Sequence, residues 1–336
     1  MYEQAYGFAE RPFQLTPDAR YWYESRTHKK AMAYLGYGLA QGEGFIVVTG
    51  EIGAGKSTLA AHLAATIDRE RLNAISLVST QVEGDDMLRL AAQGLGLETG
   101  GVMKAQLLDR IEHRLREEAS RGKRTLLIVD EAQNLPVSSL EELRMLSNFT
   151  DQGRALIQIF LLGQPEFRDR LAAEDGLEQL RQRIIAAHHL EPMDAHEVEP
   201  YAVHRLSVAG WQGRPAFAAD AFAALYRHSG GVPRKVNQLA ARLLLYAGME
   251  QLETIAGGDV DAVAADMAAD RPASASKHVL PLRRPAAEPA GDASLERRIA
   301  AIEARLDEQE AAVRRVLTVL LDWVENESRP RRSNAA

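Results

Sequence analysis

Gly50-Glu51-Ile52-Gly53-Ala54-Gly55-Lys56-Ser57 matches the pattern GxxxxGK[ST] at every fixed position. Residues of these types at this spacing do phosphate chemistry. The glycines let backbone N–H groups curve around phosphate oxygens, Lys56 reaches the β and γ phosphates, and the Ser57 hydroxyl joins a Mg²⁺ coordination shell. A helix opening at Lys56 and running on through Thr58 adds the positive end of its dipole to the same anionic site. A second run, Leu126-Leu127-Ile128-Val129-Asp130-Glu131, reads as a buried strand that delivers two adjacent carboxylates at its end. Asp130 is placed to support Mg²⁺ through its hydration shell, and Glu131 to polarise an attacking water. Together the two runs favour hydrolysis of ATP over simple phosphate binding. A kinase would need a pocket that admits an acceptor and excludes water, and no such pocket can be read here.

Other residues depend more on the fold. Gln164, after the apolar run ALIQIFLLG, is a candidate to orient the hydrolytic water beside Glu131. Arg181 and Arg183 precede a short apolar run, where one of them could project from a subunit edge and neutralise a neighbour's γ-phosphate. In Gly230-Gly231-Val232-Pro233-Arg234 the first residues set the start of a helix, and Arg234 could contact phosphates from there. His188 and His189 are adjacent on a strand and point to opposite faces, so they do not make a shared metal site. His62 has no evident carboxylate partner and reads as structural. His28, Lys29 and Lys30 form a small basic cluster, the one local hint of nucleic-acid contact.

These groups need a scaffold. FIVVTG, NAISLVS, TLLIVD, ALIQIFLLG and IIAAHHL are strand candidates separated by helical intervals, the alternation of an α/β parallel sheet. Past Glu191 the pattern turns to helices near 194–209, 217–228, 232–248 and 258–268. Residues 1–190 therefore read as an α/β nucleotide-binding domain and 191–270 as an all-helical lid. Within the first, Tyr6, Phe8, Phe13, Tyr21, Trp22 and Tyr23 form an aromatic segment read as packing against the core, with a base-binding role as the alternative. Residues 271–294, rich in Ala, Pro and charge, read as a flexible linker. Residues 295–325 read as a helical tail with a coiled-coil seam from Leu295 to Trp323, interrupted by Gln309, or as a lone amphipathic helix.

With 336 residues, of which 46% are apolar and 26% charged, the chain has length for about two domains with real cores and is neither fibrous nor wholly disordered. A net charge of −7 disfavours a surface built as one polyanion grip but permits a local basic patch. The sequence contains no Cys, so disulfides and thiolate chemistry are excluded, in keeping with a reducing, cytoplasmic compartment. No stretch of the roughly 18 apolar residues needed to span a bilayer is present, so a membrane role would be peripheral.

Over residues 1–270 the chain resembles AAA+ ATPases of the general secretion pathway A type, in particular those associated with exosortase/PEP-CTERM and exopolysaccharide systems. The resemblance is carried by YGFAERPFQLTPDARYWY, HKKAMAYLGYGLAQGEGFIVVTGEIGAGKST, LLIVDEAQNLP, LLGQPEF, LRQRI and GGVPRKVNQLA. It implies an AAA+ P-loop NTPase core, ATP·Mg²⁺ at Lys56 and Ser57, Asp130 and Glu131 in the Walker B position, Gln164 as γ-phosphate sensor and Arg234 as lid sensor. It prefers Arg183 over Arg181 as the trans-acting arginine. The family's peptidoglycan-binding extension is not carried over, since residues 271–336 read as a linker and one helix. The implied role is an ATP-driven motor or regulator of an envelope or polysaccharide-export system, working as a homo-oligomer with ATP near subunit interfaces. A DNA-associated AAA+ regulator and a nucleotide-binding adaptor without turnover are the alternatives.

Overall fold

The computed structural model describes residues 2–78 and 82–270. Five strands, β1 (Phe45–Gly50), β2 (Leu72–Val78), β3 (Arg124–Asp130), β4 (Ile157–Gly163) and β5 (Ile184–Leu190), form one sheet in the order β2-β3-β4-β1-β5. All four pairings are parallel, with Val48 opposite Leu162, and Leu127 opposite both Ile75 and Ile159. β1 and β4 are buried along their whole length, which is why FIVVTG and IQIFLLG are almost unbroken apolar runs rather than alternating ones.

Successive side chains of a strand leave by opposite faces, so each central strand feeds two cores. Phe45, Val47, Leu127, Val129, Ile159 and Leu161 pack with helices α3 (Gly84–Gly94), α4 (Lys104–Ser120), α5 (Val137–Leu146) and α6 (Pro165–Ala173). Ile46, Val48, Leu126, Ile128, Phe160 and Leu162 pack on the other face with Ala31 and Leu35 of α1 (Arg26–Gln41) and Leu59 and Leu63 of α2 (Lys56–Thr66). Strand order reverses at β1, whose chain leaves for the far edge of the sheet. In open α/β sheets ligands bind in the crevice beyond the strand C-termini at such a point.

Helices α7 (Ala195–Val208), α8 (Ala219–Ser229), α9 (Pro233–Glu250) and α10 (Gly257–Ala269) close a third core through Val198, Leu206, Leu225, Val236, Leu243 and Val260. A two-residue parallel pairing of Ala216–Phe217 with Thr254–Ile255 ties this otherwise helical part together. The aromatic segment departs from its expected place. Phe8 and Phe13 are buried in the helical core and not in the α/β part with which the sequence reading grouped them. The anchor is Arg205 of α7, whose Nε donates to the Pro12 carbonyl at 2.8 Å and whose Nη2 donates to that of Gln14 at 3.2 Å. The expected linker at 271–294 and helix at 295–325 lie outside the described residues.

Candidate functional site

β1 ends at Gly50 and α2 begins at Lys56, so the intervening loop must turn through backbone that ordinary side chains avoid. Gly53 and Gly55 have φ of +87° and +99°. Space forbids a side chain there as well: a Cβ on Gly53 would stand 2.3 Å from Cβ of Arg234, and one on Gly55 2.6 Å from Nε2 of His28. Lys56 is buried, and its ammonium donates to the Gly50 carbonyl at 2.7 Å and the Glu51 carbonyl at 3.1 Å. Burial pulls its pKa below the usual lysine value, opposed by the nearby Glu131 and Asp130 carboxylates.

β3 brings its acids to the same place. The Ser57 hydroxyl donates to Oδ2 of Asp130 at 2.6 Å, and the Glu131 N–H donates to the other oxygen of Asp130 at 2.9 Å. Glu131 has left-handed backbone, φ +56° and ψ +38°, which costs a residue with a side chain about 1 kcal/mol. That conformation turns the chain abruptly out of the strand and into a short helical turn, Ala132–Asn134. From the end of β4, Nε2 of Gln164 donates to Oε2 of Glu131 at 3.2 Å. A residue that the sequence reading missed lies between them. Gln133 donates from Nε2 to the same Glu131 oxygen, and its Oε1 accepts the Gln164 N–H at 3.0 Å. Its sequence signals are a polar amide two positions beyond Glu131 and a place inside LLIVDEAQNLP, and neither says that the chain curls back there.

The helical part closes the site from above. Pro233 opens α9, and the Arg234 N–H donates to the Gly53 carbonyl at 3.1 Å, so the helical part rests directly on the glycine loop. Between them lies a cavity of about 310 Å³ lined by Ile52 to Thr58 in part, Glu131, Gln164 and Arg234, together with Trp22, Tyr23, Tyr201 and Asn237. Thus the aromatic segment, besides packing, walls the cavity. Trp22 stacks on His62 with ring centroids 4.2 Å apart, and Tyr201 donates to Oδ1 of Asn237 at 2.8 Å.

His28 does not belong to a surface basic cluster. It is buried, bonded to the Ser25 hydroxyl through Nδ1 at 2.6 Å and packed against Gly55, while Lys29 and Lys30 are exposed. Burial holds its pKa down to about 4, so it is neutral at pH 7. His188 and His189 leave β5 in different directions, to Thr27 and Thr49.

Arg181 and Arg183 are not brought to this cavity. The Arg183 carbonyl accepts the N–H of Phe45, at the start of β1, whereas the glycine loop follows its end. The Arg183 guanidinium, on an exposed residue, donates to the carbonyl and hydroxyl of Ser147 at 3.3 and 3.2 Å, and that of Arg181 to the Leu171 and Ala172 carbonyls.

The residues fit a magnesium ion as well as a triphosphate. A hydroxyl and a carboxylate 2.6 Å apart, beside a buried ammonium, are the hard oxygen donors that Mg²⁺ takes alongside phosphate oxygens and water. Among the described residues no cluster of three or more His, Asp or Glu gathers for a metal held by protein alone.

The glycine loop between β1 and α2, the acids ending β3 and the strand order decide the class. The chain carries a P-loop AAA fold. Residues 39–171 match the AAA domain family. The chain is 36% identical over 272 residues to general secretion pathway protein A of Aeromonas hydrophila, covering 81% of this chain and 49% of that protein, so it spans about half the length of that relative. Among solved structures it resembles Cdc6p from Pyrobaculum aerophilum, with a TM-score of 0.61 at 15% identity over 76% of this chain and 70% of that one. It also resembles the Aeropyrum pernix ORC1 protein in complex with DNA, with a TM-score of 0.57 at 15% identity over 77% and 70% of the two chains. At such identities these two structures establish the AAA fold alone. Among the described residues no helix is long and apolar enough to cross a membrane.

Proposed function

We propose that the chain is a magnesium-dependent ATPase in which nucleotide turnover moves the helical lid against the AAA core. The single observation that carries this reading is convergence: Lys56, Ser57, Glu131 and Gln164 line one cavity whose other wall is the helical part, with Asp130 bonded to Ser57 behind them. Gly50 to Thr58 would hold the phosphates, and Ser57 and Asp130 would hold Mg²⁺, which when bound neutralises phosphate charge and organises the leaving oxygens. Lys56 keeps a positive charge in the loop, Gln164 steadies Glu131, and the Glu131 carboxylate accepts hydrogen from the attacking water. Arg234 reports the state of the loop to α9 through its bond to Gly53. Arg183 is the favoured arginine for a neighbouring subunit's site in a homo-oligomer, with Arg181 as alternative, because both lie away from their own cavity.

The cellular reading is a motor or regulator for an envelope or export system, working at the inner face of the cytoplasmic membrane. It is supported by the identity with general secretion pathway protein A. The narrower exosortase/PEP-CTERM or exopolysaccharide setting rests on motifs such as LLIVDEAQNLP and GGVPRKVNQLA. The DNA-associated alternative loses part of its footing with the burial of His28. Phosphate release from ATP and Mg²⁺ tests the enzymatic reading. Steady release by the wild type, reduced roughly 100-fold or more in Glu131→Gln with nucleotide affinity retained, is expected. Equal rates in the two proteins would exclude Glu131 from the reaction.

A further inference from the structure

Glu131 leaves β3 in a left-handed backbone conformation, so the strand itself does not set the direction of its carboxylate. Something beyond the strand must. The Gln133 amide is bonded at both ends: its Nε2 donates to Oε2 of Glu131, and its Oε1 accepts the backbone N–H of Gln164 at 3.0 Å. Gln164 returns the link by donating from its own side chain to the same Glu131 oxygen at 3.2 Å. The three residues form a closed ring that joins the end of β3 to the end of β4.

The ring has a fixed base. Ala132, in the same helical turn, is fully buried, and Arg170 of α6 donates to the carbonyls of Leu135 at 2.6 Å and Gln133 at 3.4 Å. Gln133 therefore has little freedom to swing away, and its amide has an orientation that only a side chain with both a donor and an acceptor can reproduce. A carboxylate at this position would face the Glu131 carboxylate, and an aliphatic side chain would leave the Gln164 N–H without this acceptor.

We propose that Gln133 is a positioning residue for ATP hydrolysis, which fixes the Glu131 carboxylate and locks it to Gln164 so that the two face the γ-phosphate as one unit. This rests on the hydrolysis reading above. Gln133 itself touches Glu131 and Gln164 and acts through them. A reacting group displaced by about 1 Å loses on the order of a hundredfold in rate, so the effect belongs in kcat and not in nucleotide affinity.

The test compares the wild type with Gln133→Leu, Gln133→Glu, Gln164→Ala and the double variant Gln133→Leu/Gln164→Ala. Each is measured for phosphate release, affinity for a non-hydrolysable ATP analogue with Mg²⁺, and thermal midpoint. The expected result is a fall in kcat of roughly tenfold to a hundredfold in both Gln133 variants, with analogue affinity within about twofold and the midpoint unchanged. The double variant should be no slower than the slower single one, because both changes open the same ring. Wild-type kcat in Gln133→Leu, or losses that multiply in the double variant, would overturn the proposal. A wild type no more active than Lys56→Ala would sink the hydrolysis reading instead. In that event a crystal structure of Gln133→Leu still decides: the Glu131 carboxylate unmoved on Gln164 refutes the bridge, and its displacement upholds it.

Discussion

One glycine and a histidine show how closely the loop is built. Gly55 has no room for a side chain because the His28 ring fills that space, and His28 is held there by the Ser25 hydroxyl. Burial keeps the ring neutral, with a folded-state pKa of about 4 against an ordinary value of 6.5. Between those values the unfolded chain binds a proton that the folded chain refuses, so the stability linked to His28 is present above pH 6.5 and is lost as pH falls toward 4. The loss amounts to about 3 kcal/mol once pH is below both values. Urea unfolding at pH 7 and pH 4.5 of the wild type and of His28→Gln measures it. The variant should lose less stability on acidification, by about 2 kcal/mol, and an equal loss in both would show that His28 is not the responsive group.

At the scale of elements, the lid and the segment preceding α1 form one packed body. Arg205 is the joint: buried, it holds the Pro12 and Gln14 carbonyls and lies with its guanidinium 4.6 Å from the Tyr21 ring centroid. Arg205→Met keeps much of the side-chain volume but leaves those carbonyls without their donor, which should lower unfolding free energy by about 3 kcal/mol. Denaturant unfolding monitored by tryptophan fluorescence checks this, and an unchanged midpoint would show that the segment is not held by Arg205. The joint was not legible in the sequence, since a lone Arg more than a hundred residues from its partners has no pattern. The strands were legible because a sheet covered on both faces demands unbroken apolar runs, and the helices of the lid because α9 opens with Pro233 and carries Val236, Ala240, Leu243 and Leu244 on one face. The expectation for Lys56, Ser57, Asp130 and Glu131 could be formed from the sequence because it is tied to fixed spacing, and the fold brings the four together. Gln133 and His28 could not, because both reach the site through the curl of a turn or the packing of a helix on the loop.

At the scale of the molecule, Arg183 lies just before β5, away from the cavity that its own chain builds. If a neighbour's cavity receives it, Lys56→Ala and Arg183→Ala proteins, each inactive alone, should regain phosphate release when mixed, because mixed assemblies contain interfaces with an intact Lys56 facing an intact Arg183. No recovery across mixing ratios, with assembly confirmed by mass measurement, would assign Arg183 to structure through Ser147. All of this rests on the cavity between the glycine loop and the lid being the place where a triphosphate is held. Calorimetric titration of Mg²⁺ and ATP into the Glu131→Gln protein, in which turnover is expected to be slowed, tests that most directly, with Glu131→Gln/Lys56→Ala as its partner. Saturable one-to-one binding in the first and its loss in the second is the predicted result; no binding in the first, or equal binding in both, would contradict the account.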